Sequence, residues 1–287
     1  MKRSFTRTLI RCVLAALLSV ASASADVRPR IVTIGGAATE IVFALDRGDD
    51  VVGVDLSSQY PESVRSLPQV GYVRNIAAEG ILALEPTQII TTSDIGPENA
   101  LEQIKSSNIR TTVIPSPDSP EQLYRAIETL GRELDRVEAA AELQRQIRST
   151  IRRIHRPDTT PKVLFFMSNP GNGRLSAAGR GTKAEAVIQL AGGENTITSH
   201  PGYKAISSEA LAAIQPDVIL IGLPEGMPHD EAEAVRGVME NPAWRSVPAV
   251  RNQRVHTVPL GRTLGFGVRI GDAVLELNQL FVETPSE

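Results

Sequence analysis

Two segments of the chain, 130 positions apart, read alike without a gap. Segment 78–90 reads AEGILALEPTQII, and segment 208–220 reads SEALAAIQPDVIL. Each segment predicts a short amphipathic helix that ends before a proline and leads into an apolar strand. The second residue of each segment is a glutamate, Glu79 or Glu209. Reuse of this unit predicts two similar lobes with a cleft between them, an arrangement that suits a molecule held in the middle and a partner docked at both tips.

The first 25 residues have the pattern of a secretory signal peptide. A basic start precedes an apolar run at 12–20, and Ala23-Ser24-Ala25 fits the small-residue cleavage site. The apolar run is too short to span a bilayer, and no other segment is long and apolar enough. We therefore expect a secreted protein, with 1–25 as its signal peptide, that is not inserted in a membrane.

The mature chain is expected to be acidic and free of disulfides. Its only cysteine, Cys12, lies in the predicted signal. The chain has 30 Lys and Arg against 33 Asp and Glu, a net charge of −3, and removal of the four basic residues of the signal takes this to −7. A secreted chain of this size without disulfides depends on its hydrophobic cores. An acidic surface without a basic block argues against a nucleic-acid partner.

Strand and helix patterns alternate in both halves of the chain. This alternation predicts an α/β fold with two Rossmann-like lobes, each built on a mainly parallel sheet. The long helical run that precedes Arg156-Pro157 is rich in Glu and Arg at helical spacing. We expect 26–134 to be the N-terminal lobe, 135–157 a rigid connecting helix and 158–287 the C-terminal lobe. The alternative for the long helix is an ordinary surface helix of either lobe.

The sequence lacks the common constellations of an enzyme. It has no Ser-centred elbow, no paired-His zinc motif and no complete phosphate loop. No two of its four histidines stand at metal-ligand spacing, although His200 and His229 lie in predicted loops. Segment 179–182, Gly-Arg-Gly-Thr, precedes a predicted helix. It is either a set of backbone N–H groups for an anion or a tight turn that leads into the helix.

Tyr72 is the residue that points to a ligand class. It lies in Gly71-Tyr72-Val73-Arg74, just before the first repeated helix, on the side of the lobe where open α/β sheets bind ligands. A cation such as Arg74 favours a nearby phenolate, and a phenolate is a suitable ligand for ferric iron, including haem iron. The alternative is a tyrosine that only closes a turn or caps a core.

The chain resembles the periplasmic haem-binding proteins of bacterial haem ABC importers, which are class III substrate-binding proteins. The resemblance covers essentially the whole mature chain in order. Its general pattern is shared with siderophore and vitamin B12 binders, and the tyrosine motif narrows the ligand to haem. The segments that carry the resemblance are 70–74, 78–86, 178–182, 190–195, 202–204, 207–211 and 264–267.

The resemblance implies two α/β lobes joined by one long helix, with ferric haem in the cleft. It implies that Tyr72 is the axial ligand, that Arg74 pairs with the phenolate or a propionate, and that Arg180 is a second propionate candidate. It also implies that Glu79 and Glu209 dock on arginines of the two permease subunits. The alternative for both glutamates is favourable electrostatics in the first turn of a helix.

The chain departs from its relatives in the second lobe. Some relatives have a histidine after the strand that opens this lobe, where it can bind a second haem, but this chain has Met167-Ser168-Asn169-Pro170. The loop after the second repeated strand, 221–225, lacks the arginine that other relatives place near the tyrosine. Met167 and His229 are the candidates to replace these groups.

These features together predict a monomeric periplasmic carrier that delivers haem to an ABC importer and is not an enzyme. A second hypothesis keeps the fold and changes the cargo to a ferric siderophore or a corrinoid such as vitamin B12. A remote hypothesis is a secreted α/β hydrolase that uses Asp94 or His229.

Overall fold

Strands and helices alternate in the computed structural model, which describes residues 28–168, 175–207, 210, 213–225 and 230–282. The N-terminal half contains β1 (Ile31–Ile34), α1 (Gly36–Ala44), β2 (Val51–Val54), β3 (Gly71–Tyr72), β4 (Asn75–Ile76), α2 (Ala78–Leu82), β5 (Gln88–Thr92), α3 (Glu98–Ser106), β6 (Arg110–Ile114) and α4 (Pro120–Glu133). Its main sheet has the strand order β2-β1-β5-β6, and all neighbouring strands are parallel. β3 and β4 form a separate antiparallel hairpin.

The C-terminal half has a second, mixed sheet. Its elements are β7 (Lys162–Ser168), β8 (Leu175–Ala178), α6 (Lys183–Leu190), β9 (Glu194–Asn195), β10 (Tyr203–Ala205), β11 (Val218–Leu223), α7 (Glu231–Met239), α8 (Pro248–Arg251), β12 (Val255–Pro259), α9 (Leu260–Leu264) and α10 (Ile270–Val282). The strand order is β10-β8-β7-β11-β12, with β9 beside β7. β7, β11 and β12 are parallel, whereas β8 and β10 add an antiparallel edge.

One helix connects the two halves. α5 (Val137–Ile151) follows α4 and packs against both α4 and α10, so it contacts elements of both lobes. The two-lobe α/β fold with a connecting helix is thus confirmed, while the exact boundaries at 134 and 157 stay predictions. The strands of the repeated unit are present as β5 and β11, each entered after its proline. Part of the second repeated helix, including Glu209, lies outside the described residues.

The core behind the cleft is continuous between the lobes. A single hydrophobic cluster runs from α1 through α4 and α5 into α6 and α10. Buried aliphatic side chains such as Ile41, Ile127, Ile147, Val187 and Val274 line this path. The described helices include none that is long and apolar enough to cross a bilayer.

Candidate functional site

Tyr72 lies on the β3–β4 hairpin with 46% of its surface exposed. Its neighbour Val73, in the turn that follows β3, is buried in the cluster beneath. Gly71 has a φ of +109°, which residues with a Cβ rarely adopt. The hairpin therefore leaves the Tyr72 side chain largely exposed while it buries Val73.

The hairpin is fixed to the carboxyl edge of the N-terminal sheet. Beyond β5, the Gly96 N–H donates to the Val73 carbonyl at 2.8 Å, and the Ile76 N–H donates to the Gly96 carbonyl at 2.8 Å. Beyond β2, the Leu56 N–H donates to the Gly71 carbonyl at 2.8 Å. Tyr72 is therefore carried by a rigid base at the edge where open α/β sheets bind ligands.

Arg74 lies at the turn of the same hairpin, near Asp94. Its Nη2 is 4.0 Å from Asp94 Oδ2, and the Arg74 side chain is 69% exposed. Such an open ion pair contributes little to stability, so the guanidinium remains available for an incoming anion. The positive charge of Arg74 is the smallest of the influences on the pKa values of Tyr203 on β10 and Lys183 on α6, and it lowers both.

Lys183 on α6 and Tyr203 on β10 lie near each other in the C-terminal lobe, because Tyr203 hydrogen-bonds to Thr182 and Ala184 on either side of Lys183. The Lys183 ammonium donates to Ser116 Oγ of the other lobe at 3.0 Å. Burial raises the pKa of the Tyr203 phenol, although hydrogen bonds with Ala184 and Thr182 and the charge of Arg74 partly oppose this. Tyr203 therefore stays protonated at neutral pH. The two lobes meet at this edge through a bond between Lys183 and Ser116.

The glycine-rich turn at 179–182 is used to start α6. Thr182 Oγ1 accepts from the Glu185 N–H at 3.1 Å, and Glu185 Oε2 accepts from the Gly181 N–H at 2.7 Å. These bonds resemble a capping box, except that the Glu185 carboxylate accepts from the residue before the N-cap, so the Gly181 N–H is already satisfied within the chain. This favours the tight-turn interpretation over the anion-binding one. Arg180 is exposed, and its backbone pairs with the 200–202 loop.

The other predicted site residues lie in different surroundings. Met167 is half-buried on β7, where it pairs in register with Gly222 of β11 and packs against the shared core. Glu79 is exposed in the first turn of α2. Glu209 and His229 lie outside the described residues.

A second inter-lobe contact is a buried ion cluster around Arg269. Its Nη2 is 2.7 Å from Oε1 of Glu40 on α1, and its Nη1 is 3.4 Å from Glu225 Oε1. Its guanidinium carbon lies 4.2 Å from the centroid of the Tyr60 ring, in a cation–π contact. Within the described residues, Oε2 of Glu40 and Oε2 of Glu225 are buried without a hydrogen-bond partner. Burial raises the pKa of Glu40, and the bonds with Arg269 oppose this rise.

Asp94 lies beside the hairpin, at the same edge of the sheet as Arg74. Asp94, the carboxylate considered for hydrolysis, accepts a hydrogen bond from Thr92 Oγ1 and faces Arg74. Over the described ranges, no group of three or more His, Cys, Asp and Glu residues could hold a metal ion. An exposed phenol with an exposed arginine two residues further along the same hairpin suits an anionic ligand that carries its own metal.

A family model described as "Periplasmic binding protein" matches residues 31–260. The chain belongs to the periplasmic binding protein family. Among curated relatives of this family is the vitamin B12-binding protein of Yersinia pseudotuberculosis, which is 28% identical over 218 residues, or 74% of this chain and 76% of that protein. The two-lobe fold of this chain is thus that of a family of periplasmic binding proteins.

Several solved structures similar to this chain are those of periplasmic haem-binding proteins. BhuT, solved in complex with two haems, is 31% identical, with 88% of this chain and 97% of that chain covered and a TM-score of 0.79. A periplasmic haem-binding protein from Pseudomonas aeruginosa is 33% identical, with 90% and 94% covered and a TM-score of 0.78.

Several residues of the cleft were not predicted from the sequence. Tyr203 lies within a segment that carries the family resemblance, so a signal was present. Lys183 was visible only as the first residue of a predicted helix, and its partner Ser116 is 67 positions away. The Glu40–Arg269 contact joins residues 229 positions apart and had no sequence signal.

Proposed function

We propose that this protein is a monomeric periplasmic carrier that binds one ferric haem between its lobes and delivers it to an ABC haem importer. The observation that carries the proposal is Tyr72, a 46% exposed phenol on a hairpin anchored at the ligand-binding edge of the sheet. The haem-binding proteins that share the fold at 31–33% identity support the choice of cargo.

Tyr72 Oη supplies the axial ligand to the ferric iron. Arg74 stabilises the phenolate or a propionate, and the exposed Arg180 is a second propionate candidate. Met167 and His229 remain candidates for a second-lobe contact with the iron or the phenolate. The exposed Glu79 and its repeat partner Glu209 dock on the permease subunits.

Titration with hemin tests the axial ligand. The native protein should develop the charge-transfer absorbance of a tyrosinate–iron bond, with an end point at one equivalent. Tyr72→Phe keeps the ring and removes the oxygen, so this band should vanish and hemin affinity should fall by about 10- to 100-fold or more, since even outer-shell partners of metal ligands change affinity by that much.

The matched control is Tyr203→Phe. Because burial raises the pKa of Tyr203 and keeps its hydroxyl protonated, this change should leave the tyrosinate band in place. A spectrum that survives in Tyr72→Phe and disappears in Tyr203→Phe would reject the assignment.

A corrinoid is the second candidate cargo, because a relative at 28% identity is a vitamin B12-binding protein. Competition between hemin and cyanocobalamin separates the two. Displacement of hemin by an equal concentration of cyanocobalamin would favour the corrinoid.

A further inference from the structure

We infer that Lys183 is the second-lobe anchor for a carboxylate of the cargo, and that it makes the cleft select a macrocycle with free carboxylates. The inference rests on the proposed function and deepens it, since it names a specificity-determining residue outside the tyrosine motif.

The position of Lys183 is the first argument. It is the first residue of α6, directly after the capping residue Thr182. Its Nζ crosses to the other lobe and donates to Ser116 Oγ at 3.0 Å. Ser116 follows β6, and its N–H donates to Ser93 Oγ beyond β5 at 3.0 Å. The ammonium therefore sits at the carboxyl edge of the N-terminal sheet, where the tyrosine hairpin is also anchored.

The state of the ammonium is the second argument. An ammonium has three donors, and within the described residues the hydrogen bond of Lys183 goes to a neutral hydroxyl rather than to a carboxylate. Burial lowers the pKa of Lys183, and the more distant Asp94 and Asp118 only partly offset this. A desolvated cation with spare donors gains most from an anion that hydrogen-bonds to it directly.

The neighbouring charge is the third argument. The loop beyond β5 links the surroundings of both cations, since its Gly96 binds the hairpin that carries Arg74 and its Ser93 Oγ accepts from the Ser116 N–H. The positive charge of Arg74 also lowers the pKa of Lys183. A carboxylate of the cargo at this edge is therefore expected to gain from both positive charges.

The selectivity follows from the chemistry of the two candidate macrocycles. The propionates of haem are anionic at neutral pH, whereas the corresponding side chains of a corrinoid are neutral amides. An ammonium forms a charge-assisted hydrogen bond with a carboxylate that is roughly twice as strong as a neutral one. Lys183 therefore favours the porphyrin dicarboxylate over the corrinoid.

Hemin and hemin dimethyl ester, whose carboxylates are methylated, test the inference. In the native protein hemin should bind about 10- to 100-fold more tightly than the ester, as expected for hydrogen bonds to charged groups. Lys183→Met should lower hemin affinity by most of that factor and leave the affinity for the ester nearly unchanged. Lys183→Arg, which keeps the charge, should retain the preference for hemin.

The control is Lys105→Met, the same change at an exposed lysine in the last turn of α3. Equal losses for hemin and the ester in Lys183→Met, or no loss beyond that of Lys105→Met, would overturn the inference. Loss of the hemin preference in Lys183→Arg would do the same. If the native protein binds neither probe through Tyr72, the proposed function itself fails. If the spectrum depends on Tyr72 but hemin affinity does not depend on Lys183, only the present inference fails.

Discussion

Glu40 is a buried carboxylate, with its side chain only 6% exposed. It shares the cation of Arg269 with a second carboxylate, Glu225. Two carboxylates and one guanidinium leave the cluster with an excess negative charge while both acids are ionised. Desolvation opposes that charge, and this is why the pKa of Glu40 is raised. The positive charge of Arg269 offsets part of the free-energy cost of burying both acids.

Arg269→Met is expected to lower the free energy of unfolding by about 3–5 kcal/mol near neutral pH, the usual cost of leaving a buried charge without its partner. The folded state then binds a proton at Glu40 more tightly than the unfolded chain does. The destabilisation should therefore grow as the pH rises above the ordinary carboxyl value of 4.5 and shrink below it. Urea unfolding followed by the buried Trp244 measures this effect.

The surface variant Arg132→Met provides the comparison, because Arg132 pairs with Glu128 on an exposed face of α4. It should cost less than about 1 kcal/mol at any pH. A loss in Arg269→Met of the same size, or one independent of pH, would contradict the account of the buried cluster.

The β3–β4 hairpin is the element that holds the Tyr72 side chain in an exposed position. Gly71 allows the entry into the turn, while backbone bonds from both flanking loops hold the hairpin in place. An ideal Cβ at position 71 would lie 3.3 Å from the Asn75 carbonyl oxygen, in addition to the unfavourable φ. The position of Tyr72 thus depends on Gly71, which has no side chain with which to contact the cargo.

Gly71→Ala is expected to destabilise the protein by about 1–3 kcal/mol, the cost of a strained backbone conformation. It should also weaken hemin binding, because the hairpin that carries Tyr72 must shift. Gly237→Ala on α7 has open space around its Cβ and should instead stabilise by about 0.5–1 kcal/mol. Thermal unfolding and hemin titration of both variants check this, and unaltered binding in Gly71→Ala would show that the hairpin is not a rigid support.

At the scale of the whole molecule, a shared hydrophobic core joins the two lobes. The Lys183–Ser116 bond and the Arg269–Glu40 ion pair also link them. Docking by the outer tips requires the two lobes to keep a defined spacing. The continuous hydrophobic cluster from α1 to α10 meets this requirement, since packed cores resist deformation. Cargo binding and permease docking are therefore expected to be separable by mutation.

The double change Glu79→Arg with Glu209→Arg should leave hemin affinity unchanged and reduce haem transfer to the reconstituted importer by at least about tenfold, since it replaces attraction by like-charge repulsion. Glu102→Arg with Glu240→Arg makes the same change in net charge at other exposed glutamates. That control should transfer haem normally. Equal transfer by both double variants would exclude the docking role.

The sequence alone determined the two-lobe α/β organisation and the strands of the repeated unit, and it singled out Tyr72 as the candidate ligand residue. These features are local, because hydrophobic periodicity, prolines and glycines act over a few residues, and local patterns are what a sequence displays directly. Only the tertiary structure decided which side chains of the two lobes meet. Lys183 meets Ser116 from 67 positions away, and Arg269 meets Glu40 from 229 positions away, and such contacts follow from how two sheets and a connecting helix pack. The turn at 179–182 is a further example of what the sequence leaves undecided. The sequence allowed either an anion site or a helix start there, and the hydrogen bond between Glu185 and Gly181 favours the helix start.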